Sequence, residues 1–150
     1  MSLQIKALIF DWGDTLMWDF PQFEGPMAYW EEVQAVPDIN KALEMACKEY
    51  RCCVASNAGE STAELMEEAL NRVEIMKYFH QLFTSRELGV TKPNLEFFNK
   101  ILRNLNLNAD ECIMIGNDYE KDIVPAKAVG INTILFTDFP NIKPTPLGVG

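Results

Sequence analysis

The chain reads as an α/β protein, a doubly wound three-layer sandwich around a central parallel sheet of about five strands. Three observations predict this. Short, near-continuous apolar runs recur at Ile5–Phe10, Cys52–Ala55, Cys112–Ile115 and Thr133–Phe136, with a weaker one at Gln81–Thr84, and such runs suit parallel strands covered on both faces. Between them the apolar spacing changes to three and four residues, the period of a helix. The first run stops at a cluster of turn formers, Asp11-Trp12-Gly13-Asp14, which places a loop at the strand end.

The helical segments follow in order. Pro37 stands at a first helical position, and Ile39, Ala42, Leu43, Ala46 and Cys47 then share one face. Ser61-Thr62-Ala63-Glu64 has the pattern of a capping box, with Leu65, Ala69, Leu70 and Val73 lining the helix it opens. A third helix follows Lys92-Pro93 with Leu95, Phe98, Leu102 and Leu105 inward, and a fourth runs from about Glu120 to Val129, closed by Gly130. Two segments lack either period. Residues 12–30 carry Trp12, Trp18, Phe20, Phe23, Tyr29 and Trp30 along with Pro21 and Pro26, an aromatic density expected to serve packing more than a substrate wall. The tail from Phe139 to Gly150 holds three prolines and two glycines and is expected to lie extended against the body or to fray.

Composition narrows the function. At 150 residues, 48% hydrophobic and 23% charged, the chain fits one domain, with a core over about residues 5–136 and a Pro-rich tail over 137–150. A net charge of −9, with no stripe of Lys or Arg to offset it, argues against nucleic acid as a partner. Cys52 and Cys53 are adjacent and point to opposite faces of a strand, so four cysteines make no disulfide framework. A reducing, cytoplasmic setting is expected. The longest apolar run near the start, Ala7–Phe10, is too short for a signal peptide or a membrane span. His80, the sole histidine, is expected at the surface or a helix end. A homo-oligomer burying part of residues 12–30 is suggested by their aromatic density alone.

In open parallel sheets, ligands bind beyond the carboxyl ends of the strands. Beyond those ends stand Asp11 to Thr15, Ser56-Asn57 and Gly116-Asn117-Asp118, with Asp122 a helical turn further on and Lys92 just before a helix. Carboxylates, a hydroxyl, an amide and an ammonium on one rim suit a magnesium ion and a phosphate. Magnesium takes one or two carboxylates with other oxygens, here Asp11 with Asp118 or Asp122. Ser56 and Lys92 can hold phosphoryl oxygens that carboxylates alone would repel. Asp11 is then free to attack in line and form an acyl phosphate that water hydrolyses.

These motifs, Asp11-Trp-Gly-Asp-Thr15, Ser56-Asn57, Lys92-Pro93 and Gly116-Asn-Asp118 through Asp122, stand in an order that resembles the haloacid dehalogenase superfamily, phosphatase-like branch, over roughly Ile5 to Phe136. The resemblance implies a Rossmann-type sandwich and a magnesium-dependent phosphomonoester phosphatase acting through an aspartyl-phosphate on Asp11. It implies magnesium held by Asp11, the Gly13 carbonyl and an acidic residue of the last motif, and phosphate contacts from Ser56, Asn57 and Lys92. The substrate is expected to be a phosphorylated small molecule or macromolecule.

Three departures qualify that expectation. Where such phosphatases carry a second aspartate, two residues after the nucleophile, this chain has Gly13, and Asp14 comes one residue late. Loss of a general acid or base costs about 10²–10⁴ in rate, so Asp14 is a candidate replacement in a weakened enzyme. The last motif reads Gly116-Asn117 in place of Gly-Asp, which favours Asp118 as the metal ligand, leaves Asn117 as a neutral one, and gives Asp122 to the metal shell or to Lys92. Only about forty residues separate Asp11 from Ser56 and about thirty-five separate Ser56 from Lys92, too few for an inserted cap, so an open site is expected. A carbon–halogen hydrolase and a non-catalytic phosphate- or protein-binding module are the alternatives, the first disfavoured by the missing cap.

Overall fold

Ala7–Phe10 are four apolar residues, all buried, and they form β1 at the centre of the sheet. The computed structural model describes residues 4–137 and 142–147. On one side of β1 lie β2 (Arg51–Ser56) and then β3 (Gln81–Thr84); on the other lie β4 (Cys112–Gly116) and then β5 (Asn132–Leu135). All pairings are parallel, in the order β3-β2-β1-β4-β5. The helices are α1 (Ile39–Ala46), α2 (Ala63–Arg72), the short α3 (Ser85–Leu88), α4 (Leu95–Leu105) and α5 (Val124–Ala128).

The two-residue period of a strand divides the core in two. Leu8, Phe10, Cys52 and Val54 join Leu43 of α1, Met66, Ala69 and Leu70 of α2, and the aromatic residues Trp12, Trp18, Phe20 and Trp30. Ala7, Ile9, Cys53 and Ala55 face the other way, onto Phe97, Phe98, Ile101 and Leu105 of α4 and Ala126 of α5. Cys52 and Cys53 therefore sit in different cores, as their adjacency predicts. Trp12, Trp18, Phe20 and Trp30 are buried, Phe23 is partly buried against them and Tyr29 is exposed, so most of this aromatic density packs within the molecule. His80 is exposed, beside the backbone of Cys52.

Several local expectations need correction. Pro37 precedes the first residue of α1, whose N-cap is Asp38, and Ala42 is exposed. Thr62, not Ser61, caps α2 by accepting from the Leu65 N–H, so the capping box is absent and Met66 replaces Leu65 as the buried residue. On α4 the buried stripe is Phe97, Phe98, Ile101 and Leu105, while Leu95 is 44% exposed, because two adjacent phenylalanines bury more area than the leucines one step round the helix. β5 is an edge strand with one face open, leaving Ile134 52% exposed despite its apolar run.

The fourth helix starts differently. Tyr119–Ile123 form a single π-helical turn, and α5 continues from it. Pro125 has no N–H to give to the carbonyl four residues back, so the regular ladder cannot run through this point. Gly130 follows with φ +95, the closing position expected of it. Met1–Leu3 and most of the expected tail lie outside the described residues; within the tail, Lys143 is half-buried and Pro146 buried. Among the described residues no helix is long and apolar enough to cross a membrane.

This topology positions a site. The chain steps outward from β1 to β3 and then crosses back to β4, so strand order reverses between β1 and β4, where a crevice opens at the carboxyl ends. Phe10 pairs with Val54 and with Ile115, so Asp11, Ala55 and Gly116 emerge level on that rim.

Candidate active site

Asp11 is held at the reversal by its own N–H, which donates to the Ile115 carbonyl at 2.9 Å. Lys92 reaches it from the loop before α4, with its Nζ over the Phe97 ring at 5.9 Å from the centroid. Its Nζ donates to Asp11 Oδ1 at 2.9 Å, to Asp122 Oδ1 at 2.6 Å and to the Ala55 carbonyl at 3.1 Å, and the whole side chain is buried. Burial pulls the Lys92 pKa down, but the two carboxylates more than restore it, so the amine stays an ammonium ion. Asp122 is fully buried; its second oxygen accepts from the Asp118 N–H at 3.1 Å. Burial first, and the Asp11 carboxylate second, push the Asp122 pKa up to about 6 against the pull of Lys92.

Asp122 can pack there only because Gly116 has no side chain. A Cβ at Gly116 would lie 2.6 Å from Asp122 Cγ and 2.8 Å from its Cβ. Asp122, one of the expected metal residues, thus stands behind Lys92 and aims it.

Asn57 lines the same cleft, and its carboxamide also grips the Lys92 backbone, accepting from the N–H at 2.8 Å and donating to the carbonyl at 3.1 Å, because a loop that must hold a buried lysine has two backbone groups to satisfy there. Ser56 ends β2 with its hydroxyl oxygen accepting from the Ala58 N–H at 3.0 Å, which leaves its hydrogen for a ligand. Asp14 has φ +61, in the left-handed region, and its Oδ1 accepts from the Asp19 N–H at 3.0 Å and pairs with Lys143 Nζ at 3.0 Å. That carboxylate organises the loop and the tail.

Asn117, rather than Asp118, faces Asp11. The end of its amide sits 2.9 Å from Asp11 Oδ2 and 3.2 Å from both the Gly13 carbonyl oxygen and Thr15 Oγ1. With nitrogen there, the amide donates to these oxygens. Asp11 Oδ2, the Gly13 carbonyl oxygen and Thr15 Oγ1 are thus gathered round one point, hard oxygen donors of the kind a divalent cation such as magnesium takes, and the Asn117 amide oxygen would join them if the amide turned over. Asp118 turns its carboxylate to the Lys121 N–H as the cap of the π-helical turn. Among the described residues no three acidic, histidine or cysteine side chains cluster as a metal site, which magnesium does not require.

Two clefts meet at this rim. One, of about 220 Å³, holds Asp11, Ser56, Lys92, Asn117 and Asp118. The other, of about 360 Å³, runs between residues 25–30 and 58–61, with Trp12, Met27 and Trp30 as its apolar wall. Gly13, Ser56 and Asp19 line both. Asp19 was missed in the sequence; its only signal there is an acidic residue set between two aromatics, Trp18 and Phe20. Partial burial, then Asp14 and Asp11, hold its pKa above the usual value, with Lys143 pulling back.

A parallel sheet whose reversal point carries an aspartate, with a buried lysine, a hydroxyl and an amide brought to it from successive strand ends, defines a class of Rossmann-type α/β proteins with a polar site at the strand ends. Within that class the chain belongs to the haloacid dehalogenase-like hydrolases, whose sequence pattern matches residues 15–136. It is 36% identical over 109 residues to a ribulose-1,5-bisphosphate 5-phosphatase from Halopiger xanaduensis, covering 73% of this chain and 45% of that protein. It is 42% identical over 67 residues to a glyceraldehyde 3-phosphate phosphatase from Methanocaldococcus jannaschii, covering 45% of this chain and 29% of that one. The chain thus spans less than half the length of these relatives. Its fold superposes on a crystal structure of an uncharacterized Listeria monocytogenes protein with a TM-score of 0.80 at 23% identity, over 96% of this chain and 88% of the other. A phosphatase of the same superfamily from Thermococcus onnurineus gives 0.73 at 14% identity, over 96% and 90%. The described residues contain no separate cap domain.

Proposed function

We propose that the chain is a phosphomonoester phosphatase in which Asp11 is the nucleophile. The observation that carries this reading is the Lys92 ammonium, fixed between a buried carboxylate and Asp11 at the floor of an open cleft. Asp11 and Asp122 against Lys92 leave one net negative charge before any phosphate arrives. A phosphate dianion needs further positive charge there, and Asp11 Oδ2, the Gly13 carbonyl and Asn117 would hold magnesium, which supplies it and withdraws charge from the phosphoryl group. Asn117 is the ligand we favour, with Asp118 next to it in the same cleft.

The chain's own groups then divide the work. The Ser56 hydroxyl holds a phosphoryl oxygen; Lys92, whose three N–H groups go to Asp11, Asp122 and the Ala55 carbonyl, holds Asp11 in place and adds positive charge beneath the phosphate, and Asn57 and Asp122 fix it from the backbone and side-chain ends. An Asp11 carboxylate oxygen bonds to phosphorus as the ester P–O bond breaks; water then bonds to phosphorus as the Asp11–phosphorus bond breaks, releasing inorganic phosphate and restoring the carboxylate.

The leaving group enters the larger cleft, whose lining includes Asp19 and Glu60 and no lysine or arginine. A second phosphate is disfavoured there, and a small uncharged chain bearing hydroxyl or carbonyl groups suits it. Of the two relatives' substrates, glyceraldehyde 3-phosphate has that character and a bisphosphate does not. The test is phosphate release from a panel of small phosphomonoesters and bisphosphates with magnesium, wild type against Asp11→Asn. Magnesium-dependent release that falls at least about a thousandfold in Asp11→Asn, with monoesters preferred, is expected. Release that survives Asp11→Asn, or no release from any ester, overturns the reading.

A further inference from the structure

The loop that carries the nucleophile lacks a side chain where an acid and base is needed, and a carboxyl from a few residues further along the chain borders that space. A Cβ at Gly13 would lie 3.4 Å from Asp19 Cβ and 3.9 Å from both its Cγ and its Oδ2. Asp14, the neighbour that the sequence offers instead, has its Oδ1 bound to the Asp19 N–H and to Lys143. We propose that Asp19 is the general acid and base of this phosphatase, and that Asp14 is a positioning residue that holds it; the inference rests on the phosphatase reading given above.

Three further observations place it there. Asp19 lines both clefts, so its carboxyl stands on the boundary where the bond between phosphorus and the leaving oxygen must lie. Of the three residues common to the two clefts, Gly13 has no side chain and Ser56 accepts from Ala58, which leaves Asp19 as the carboxyl group at that boundary. Its backbone is anchored although its carboxyl is solvent-accessible: Trp18 and Phe20 on either side are each 1% exposed. A proton carrier in an open site needs that combination, a fixed origin and a reachable head.

The proton accounting closes. As Asp11 bonds to phosphorus and the ester P–O bond breaks, protonated Asp19 gives its proton to the departing oxygen, which leaves as an alcohol. Asp19, now a carboxylate, takes a proton from the water that attacks phosphorus as the bond to Asp11 breaks. Phosphate leaves, Asp11 is again a carboxylate and Asp19 is again protonated.

The experiment compares two esters with magnesium: 4-nitrophenyl phosphate, whose leaving group departs without a proton, and a simple alkyl phosphate, whose leaving group needs one. In Asp19→Asn, kcat/KM for the alkyl ester should fall about a hundredfold or more and for the aryl ester less than about tenfold. Burst kinetics should show the first equivalent of nitrophenolate released faster than later ones, because the second step has lost its base. Gly13→Asp combined with Asp19→Ala, which offers a carboxyl from the vacant position, should recover at least about tenfold of the alkyl activity lost in Asp19→Ala alone. Equal losses on both esters, or no loss on either, with an active wild type, would overturn the role of Asp19 and leave the phosphatase intact. A wild type that hydrolyses neither ester overturns both readings.

Discussion

Replacing Lys92 by methionine removes a cation while keeping most of the apolar stem, and the structure says what is left behind. Asp122, fully buried, loses its 2.6 Å partner, Asp11 loses its 2.9 Å partner, and the Ala55 carbonyl loses a donor. Removing one member of a buried ion pair typically costs about 3–5 kcal/mol, because the other charge stays buried without compensation. For a denaturant slope of about 2 kcal/mol per molar urea, the midpoint should fall by about 1.5–2.5 M. Unfolding is best followed in a chelating buffer, so that bound metal does not add its own linkage. Asp122→Asn in the same background removes the stranded charge, and the double variant should recover at least about 1 kcal/mol relative to the sum of the single losses. The pH dependence has a fixed sign. Asp122 is already raised from its ordinary 3.8 to about 6, and without Lys92 it rises further, so the folded state binds its proton more readily than the unfolded state does. The deficit of Lys92→Met relative to wild type should therefore narrow from pH 7 towards pH 5. A variant within about 1 kcal/mol of wild type, or additive losses in the double variant, would show that Lys92 and Asp122 do not act as a buried pair.

Gly116→Ala should lower stability by at least about 2 kcal/mol and abolish phosphate release, since the added methyl overlaps the Asp122 carboxyl that aims Lys92; urea midpoints and a phosphate assay check both, and a wild-type-like variant would refute the packing argument. Alkylation at pH 8 should modify Cys47, which is half-buried, well before the other three thiols. Burial pushes Cys52 and Cys112 up to about 11 and Cys53 up to about 12, so their thiolate fractions at that pH are about a thousandth or less. Mass spectrometry should show one adduct in the native protein and four after unfolding, and rapid labelling of all four in the native state would contradict the assignment.

The strands were legible in the sequence because their signal is local: a run such as Ala7–Phe10 is apolar on both faces and can only be covered on both. The rim followed from them, since the strand-end residues Asp11, Ser56 and Gly116 need no more than a parallel sheet to meet. What a residue does on the rim was less legible. Asn57 and Lys92 are far apart in sequence, and nothing local announces that the amide closes on the lysine's backbone. Asp118 and Asn117 differ by one step, and the choice between them is made by the π-helical turn, which Pro125 sets from several residues downstream. The buried face of α4 was misjudged because six apolar residues surround the helix and two different stripes satisfy its period; ring volume decided between them. Asp19 was hidden for a related reason: residues 12–30 have no period to read, so an acid among rings gives no clue to where its carboxyl lies.

The central place of β1 has a consequence for how the molecule comes into being. β1 is the first strand in the chain, yet its second neighbour, β4, begins more than a hundred residues later, where Cys112 pairs with Ala7. Closing so long a stretch of chain precedes the contacts that reward it, which makes the pairing entropically expensive and late. During synthesis the Asp11 loop emerges before β4 and waits with one side of its strand open until residues 112–116 arrive. Nascent chains shorter than this carry Asp11 without the lysine-aiming Asp122 or the amide of Asn117. Activity should thus switch on in one step as β4 docks, and until then the open flank of β1 is the surface that a chaperone has most reason to shield.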